Sequence, residues 1–198
     1  NIRIPIGAWV DTVFDWLKEN VSWFFDFITF LFSFLIDTLT EVLVDLHPLV
    51  IMIILALLGW VFRSWQMAVG TLITLFFIMT MDQWVASMQT LALIIIAAVI
   101  AIIIAVPVGI LAARNDRASA IIRPILDFMQ TMPAFVYLIP AVTFFSIGVV
   151  PGLVSTVIFA LPPGVRFTEL GIRGVDSETV EAGQSFGATP GQILRGVQ

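Results

Sequence analysis

The chain alternates between long stretches without a charged residue and short polar breaks, and the lengths of those stretches set the first reading. No charge falls within residues 49–62 and none within 64–81, with Arg63 alone between them. A helix needs about twenty apolar residues to cross the hydrocarbon core of a bilayer. The pattern therefore predicts two spans, the first drawing on residues 43–48 to reach full length. A third uncharged run, 83–113, is long enough for one tilted helix. The run 128–165 is too long for a single span and contains SIGVVPG near its middle. It predicts a helical hairpin turning at residues 148–152, whose short returning arm ends at Leu161-Pro162-Pro163.

The N-terminal segment patterns differently. VSWFFDFITFLFSFLIDTLTEVLVDL is apolar, yet Asp37, Glu41 and Asp45 recur every four residues and line one face of a helix. A carboxylate stripe beside a Phe/Leu face predicts an amphipathic helix on the membrane surface or in an intersubunit groove; a span with its acids buried against partners is the alternative. The chain divides on this pattern into an extracytoplasmic or interfacial segment at 1–47, transmembrane helices at 48–165 and a polar tail at 166–198.

Composition agrees with an all-α membrane protein. The 198 residues are 60% hydrophobic and only 12% charged, outside the range of ordinary soluble domains. The absence of cysteine and the single histidine, His47, leave little for a metal site or a nucleophile, so the chain has few residues suited to carrying catalysis. A net charge of -5 argues against nucleic acid as a partner. The start, NIRIPIGAWVDTVFDWLKEN, lacks the pattern of a signal peptide.

Orientation follows from the arginines. Arg63, then Arg114, Arg117 and Arg123, then Arg166, Arg173 and Arg195 fall in alternate connections, which the positive-inside rule places in the cytoplasm. The N-terminus is then outside, and its acids outnumber Arg3 and Lys18.

Two membrane stretches carry features beyond hydropathy. Pro107 and Gly109 lie near the cytoplasmic end of the third run, where proline invites a kink. In LDFMQTMPAFVYLIPAVTFFSIGVVPG, Pro133, Pro140 and Pro151 punctuate a run that holds Phe135, Tyr137, Phe144 and Phe145. Broken helices at membrane depth are tolerated where they are buried in protein or line a cavity, so this hairpin is the candidate wall of a transport path.

In the tail, Asp176 or Ser177 can cap a short helix that begins near Glu178. Gly183 and Gly187, four apart, are expected on one helical face open to close approach, and Gly191 follows a turn at Pro190. A short helix, a glycine-marked turn and a second short helix form a docking element.

Glu181-Ala182-Gly183, three further residues, Gly187, nine more and then Val197 resemble the cytoplasmic signature of ABC importer permeases. That signature runs Glu-Ala-Ala, three variable residues, Gly, nine variable residues, Ile-x-Leu-Pro. Gly183 replaces the second alanine, and Leu-Pro would follow immediately after Gln198. The resemblance implies that this is the front part of a longer permease with further C-terminal spans. The stretch from DFMQTMPAFVY through GIRGV is similar to permeases of the glycine betaine/proline betaine (ProW/OpuAB) type, and coverage is strong from about residue 91 onward.

That resemblance implies the transmembrane domain of a type I ABC importer in the cytoplasmic (inner) membrane. Two permease copies pair with two ATP-binding subunits, and an extracytoplasmic binding protein, separate or fused, delivers a compatible solute for osmoprotection. ATP and Mg belong to the partner subunit, and no cofactor to this chain, which shows no phosphate-binding loop of its own. Glu181, Ala182, Gly183, Ser185, Gly187 and Ala188 would couple to the ATPase. A betaine is a quaternary ammonium zwitterion suited to aromatic faces; Tyr137, Phe144 and Phe145 could meet it along a path shaped by Pro133 and Pro140. A permease for choline, carnitine or proline, a channel, and a gradient-driven transporter are the other readings, and the clean spans disfavour the last.

Overall fold

The computed structural model describes residues 6–196, so Arg3, Val197 and Gln198 lie outside the described residues. Every regular element among the described residues is a helix: α1 (Ile6–Asp45), α2 (Pro48–Phe62), α3 (Trp65–Thr80), α4 (Trp84–Arg114), α5 (Asp116–Thr131), α6 (Ala134–Phe145), α7 (Val149–Arg173), α8 (Ser177–Ser185) and α9 (Pro190–Gly196). Three of them, Trp9–Asp45 of α1, α4 and α7, are long and apolar enough to cross a membrane, and the bent pair α5–α6 makes a fourth candidate. The residues form two compact units, one running through Ile96 with Val142–Leu153 added, the other holding Ala97–Ala141 and the chain from Val154 onward.

In the first unit α1 is a continuous helix of 40 residues, about 60 Å long at 1.5 Å per residue. Its side chains sort into three faces. Phe14, Phe25 and Ile36 turn inward. Asp11, Asp15, Glu19, Asp26 and Asp37 share a second, exposed face, each step being one, two or three helical turns. Trp9, Trp16, Trp23 and Phe30, spaced by seven residues, form a third face that is also exposed.

Helix α1 ends at Asp45, and Pro48 opens α2 with the His47 side chain accepting from the Leu49 N–H. The expected borrowing of 43–48 by the first span is therefore corrected: residues 43–45 belong to α1, because Pro48 suits a first helical turn and not an interior. Helices α2 and α3 have 15 and 16 residues, about 22–24 Å each. Arg63 and Ser64 join them in a tight hairpin, and a β-carbon on Gly59 would lie 3.5 Å from both the Met67 backbone and Thr71 Oγ1. Ile51, Met52, Leu75, Trp84 and Met88 form the core of this unit.

The second unit is built on close contact between α4 and α7. Ala97, Ala101 and Ala105 are buried at intervals of four, and Gly109 continues the row. Small residues at this spacing let helix backbones approach. A β-carbon on Gly109 would lie 2.5 Å from Thr168 Cβ and 2.9 Å from the Val165 carbonyl oxygen, and one on Gly164 would lie 2.9 Å from Ala105 Cβ. Ala105, Leu126 and Val165 form the core here.

Two expectations about the hairpin are corrected. The turn lies at residues 146–148, with Ser146 at positive φ, and Pro151 falls in the first turn of α7, where its missing N–H removes no helical bond. The returning arm does not end at Pro162-Pro163 but continues to Arg173, as interior prolines are tolerated where neighbours satisfy the freed carbonyls. Helix α4 likewise runs through Pro107 to Arg114.

Candidate functional site

The tail folds, as expected, into two short helices joined by a turn. The Asp176 carboxylate caps α8 by accepting from the Glu178 N–H. Glu181, Ala182 and Ser185 are exposed on α8, and Gly183 is half-buried; the Ser185 hydroxyl donates to the Glu181 carbonyl. Gly187 does not share the face of Gly183, as the four-residue spacing suggests. It lies beyond the end of α8 at φ +78°, a left-handed conformation that favours glycine after a helix C-terminus. Pro190 and Gly191 belong to α9, with Pro190 its first residue. Between the helices, Phe186 is 92% exposed and Ala188 half-buried. Ile193 is buried, and Arg114 at the end of α4 donates to the Pro190 carbonyl, which ties α9 to the spans.

Above this element lies an arrangement that the sequence reading missed. Along α5, Asp116, Ser119, Arg123 and Asp127 follow one face; along α7, so do Arg166, Glu169 and Arg173. The two rows meet in antiparallel register with alternating sign. Asp116 pairs with Arg173 at 2.7 Å, Arg123 with Glu169 at 2.9 Å, and Asp127 with Arg166. Glu169 is the buried member, 4% exposed. Its Oε1 accepts from Ser119 Oγ at 2.7 Å, from Arg123, and from Arg173 Nε at 3.1 Å. Arg173 also donates to the Ala112 carbonyl at 2.9 Å, so it holds the C-terminal end of α4 as well. A buried carboxylate is tolerated only when so paired; removing one partner of a buried pair costs about 3–5 kcal/mol. Asp116-x6-Arg123-x3-Asp127 facing Arg166-x2-Glu169-x3-Arg173 was the available signal.

The candidate path residues have defined neighbours. Helix α5 ends at Thr131, and α6 leaves it at 93° across Met132-Pro133. The Tyr137 hydroxyl donates to the Met129 carbonyl. Phe144 is stacked between Phe14 and Phe25 of α1, with ring centroids at 4.8 and 4.6 Å. Phe145 meets the edge of Phe25 at 5.5 Å. Pro140 lies inside α6. Phe144 and Phe145 are thus brought together in the first unit, while Tyr137 is engaged separately in the second.

Comparison with known proteins completes the picture. Residues 105–198 match the family described as binding-protein-dependent transport system inner membrane component. The chain is 46% identical to the glycine betaine/carnitine transport permease protein GbuB of Listeria monocytogenes, over 98% of this chain and 70% of GbuB. The chain belongs to this permease family. The permease is also 43% identical to the glycine betaine/proline betaine transport system permease protein ProW of Escherichia coli, across 98% of its own length and 55% of ProW. It is 41% identical to the glycine betaine transport system permease protein OpuAB of Bacillus subtilis, across 99% of its length and 70% of that protein. The family match takes in the α5–α7 ion pairs, α8 and α9, so the permease carries these elements within the part shared with the family.

Proposed function

We propose that the chain is the membrane-spanning part of an ATP-driven importer for glycine betaine, proline betaine or a similar compatible solute, with α8 and α9 as its contact to an ATP-binding subunit. One observation carries this reading. The Glu181-Ala182-Gly183 and Gly187 motif stands on an exposed helix and its cap, in a chain 41–46% identical to glycine betaine permeases over nearly its whole length. In this reading Glu181, Ala182, Gly183, Ser185, Gly187 and Ala188 engage the ATPase. Two copies of the permease pair with two such subunits, which hold ATP and Mg, and a binding protein delivers the solute from outside the inner membrane.

ATP binding closes the partner subunits, α8 moves with them, and the attached spans rock to open the path outward. The motion requires a different contact in each state, since equal fit in both would shift nothing. The 93° break at Met132-Pro133 supports a path beside α6, because non-helical backbone at membrane depth belongs in protein or against a cavity. Both faces of Phe144 are covered by phenylalanine rings, so a quaternary ammonium group would meet the ring of Tyr137 first. The acid stripe of α1, exposed from Asp11 to Asp37, supports an interfacial N-terminal segment.

The test is uptake of radiolabelled glycine betaine by the intact transporter in vesicles, with Glu181→Lys and Gly187→Trp compared to wild type. Loss of uptake or of the ATP-binding subunit from the purified complex is expected. Wild-type uptake and ATP hydrolysis in both variants would remove the assignment.

A further inference from the structure

The α5–α7 ion pairs lie at the root of the docking element. Arg173 is the last residue of α7, and only Gly174, Val175 and Asp176 separate it from α8. Gly174 closes tightly onto α7, its N–H bonded to the Leu170 carbonyl at 2.8 Å; a β-carbon there would lie 2.9 Å from that oxygen. Any displacement of α8 therefore reaches Arg173 across a short, tight connection.

Arg173 in turn grips three helices at once, through Glu169 of α7, Asp116 of α5 and the Ala112 carbonyl of α4. Glu169 extends the grip to Ser119 and Arg123, and Asp127 with Arg166 continues it one turn further. Helix α5 ends three residues before the bent α6. The charges along the two rows alternate, so sliding by one helical turn sets like charges opposite each other; the register is locked electrostatically.

Resting on the proposed coupling role of α8, we infer that Glu169 is a positioning residue for transport. Through Arg173 and Arg123 it fixes the register of α5 on α7, so that displacement of α8 is delivered to the α5–α6 break as a rigid movement. Glu169 itself touches neither solute nor nucleotide. Replacing it by Gln leaves a side chain of the same size but frees two guanidinium groups from their shared anion, so α5 and α7 can slip and part of the stroke is lost.

The experiment uses the intact transporter, with its ATP-binding subunits, in proteoliposomes. The quantity measured is the number of glycine betaine molecules taken up per ATP hydrolysed. For Glu169→Gln this ratio should fall at least ten-fold, and for Asp116→Asn, which loosens Arg173 from the exposed side, about two- to five-fold. Glu169→Asp, which restores the anion on a shorter arm, should recover part of the loss. A purely architectural Glu169 would lower the amount of assembled complex and reduce uptake and hydrolysis together, leaving the ratio at its wild-type value; that result overturns the inference. If Glu169→Gln fails to assemble, Asp116→Asn decides the matter, and a wild-type ratio there also overturns it. Failure of the underlying functional reading would look different, because the wild-type chain itself would then show no ATP-driven uptake.

Discussion

The Tyr137 hydroxyl donates to the carbonyl of Met129, the oxygen left without its helical donor because residue 133 is proline. The chain's only tyrosine thus closes the break that Pro133 opens, and steadies the angle at which α6 leaves α5. Tyr137→Phe should leave that carbonyl unpaired at a cost of about 1–3 kcal/mol. The expected result is a lower unfolding temperature of the purified complex and slower uptake with little change in half-saturation. A raised half-saturation at unchanged stability would instead assign the hydroxyl to the solute.

Close packing of α4 on α7 makes an opposed pair of predictions. Gly109→Ala places a methyl group 2.5 Å from Thr168 Cβ and 2.9 Å from a backbone oxygen, an overpacking cost of about 1–3 kcal/mol. Gly171→Ala, in the same α7, meets nothing within 4 Å and should stabilise by about 0.5–1 kcal/mol through helix propensity. Thermal unfolding in detergent of the two variants side by side checks both signs.

Gly187 offers a test of backbone conformation. Its φ of +78° costs a residue with a β-carbon about 1–2 kcal/mol, while the space around it is open. Gly187→Ala should therefore weaken retention of the ATP-binding subunit, and Gly187→Asn should be milder, since asparagine visits this region more readily. Measuring subunit retention after gel filtration separates strain from bulk: equal loss in both variants would point to steric exclusion.

For α1, the exposed acids at 11, 15, 19, 26 and 37 predict a common, shallow depth. Spin labels at positions 11, 19, 26 and 37 of the intact transporter should all be reached by a water-soluble relaxation agent. Labels at 19 and 26 that respond only to oxygen dissolved in lipid would establish a transmembrane course for that part of the helix.

Much of the fold was legible because charge interrupts apolar sequence so sharply. Arg63, Asp82 and the Arg114–Arg117 cluster mark the ends of α2, α3 and α4 to within a few residues. Pro162 and Pro163 look like a stop in isolation but continue inside α7, where Pro162 is buried and Pro163 half-buried. Asp176 and Glu178 gave the start of α8 correctly because an N-cap is a local event. Gly187 was placed on the wrong feature, as spacing carries no information about φ. The α5–α7 ion pairs stayed hidden for a plainer reason: their partners are 39 to 57 residues apart, and each row alone resembles ordinary cytoplasmic charge. The stacking of Phe144 on Phe14 and Phe25 is not legible in the sequence, because nothing in the segment around Phe144 announces partners more than a hundred residues away.

The most direct measurement is ATP-dependent uptake by the intact transporter, reconstituted with its ATP-binding subunits and supplied with binding protein and radiolabelled glycine betaine. Accumulation against a gradient should require ATP on the side of α8 and α9, persist when ion gradients are collapsed, and vanish in Glu181→Lys. Accumulation driven by a sodium or proton gradient without ATP, or a wild-type chain that purifies without any ATP-hydrolysing subunit and carries no betaine, would contradict it.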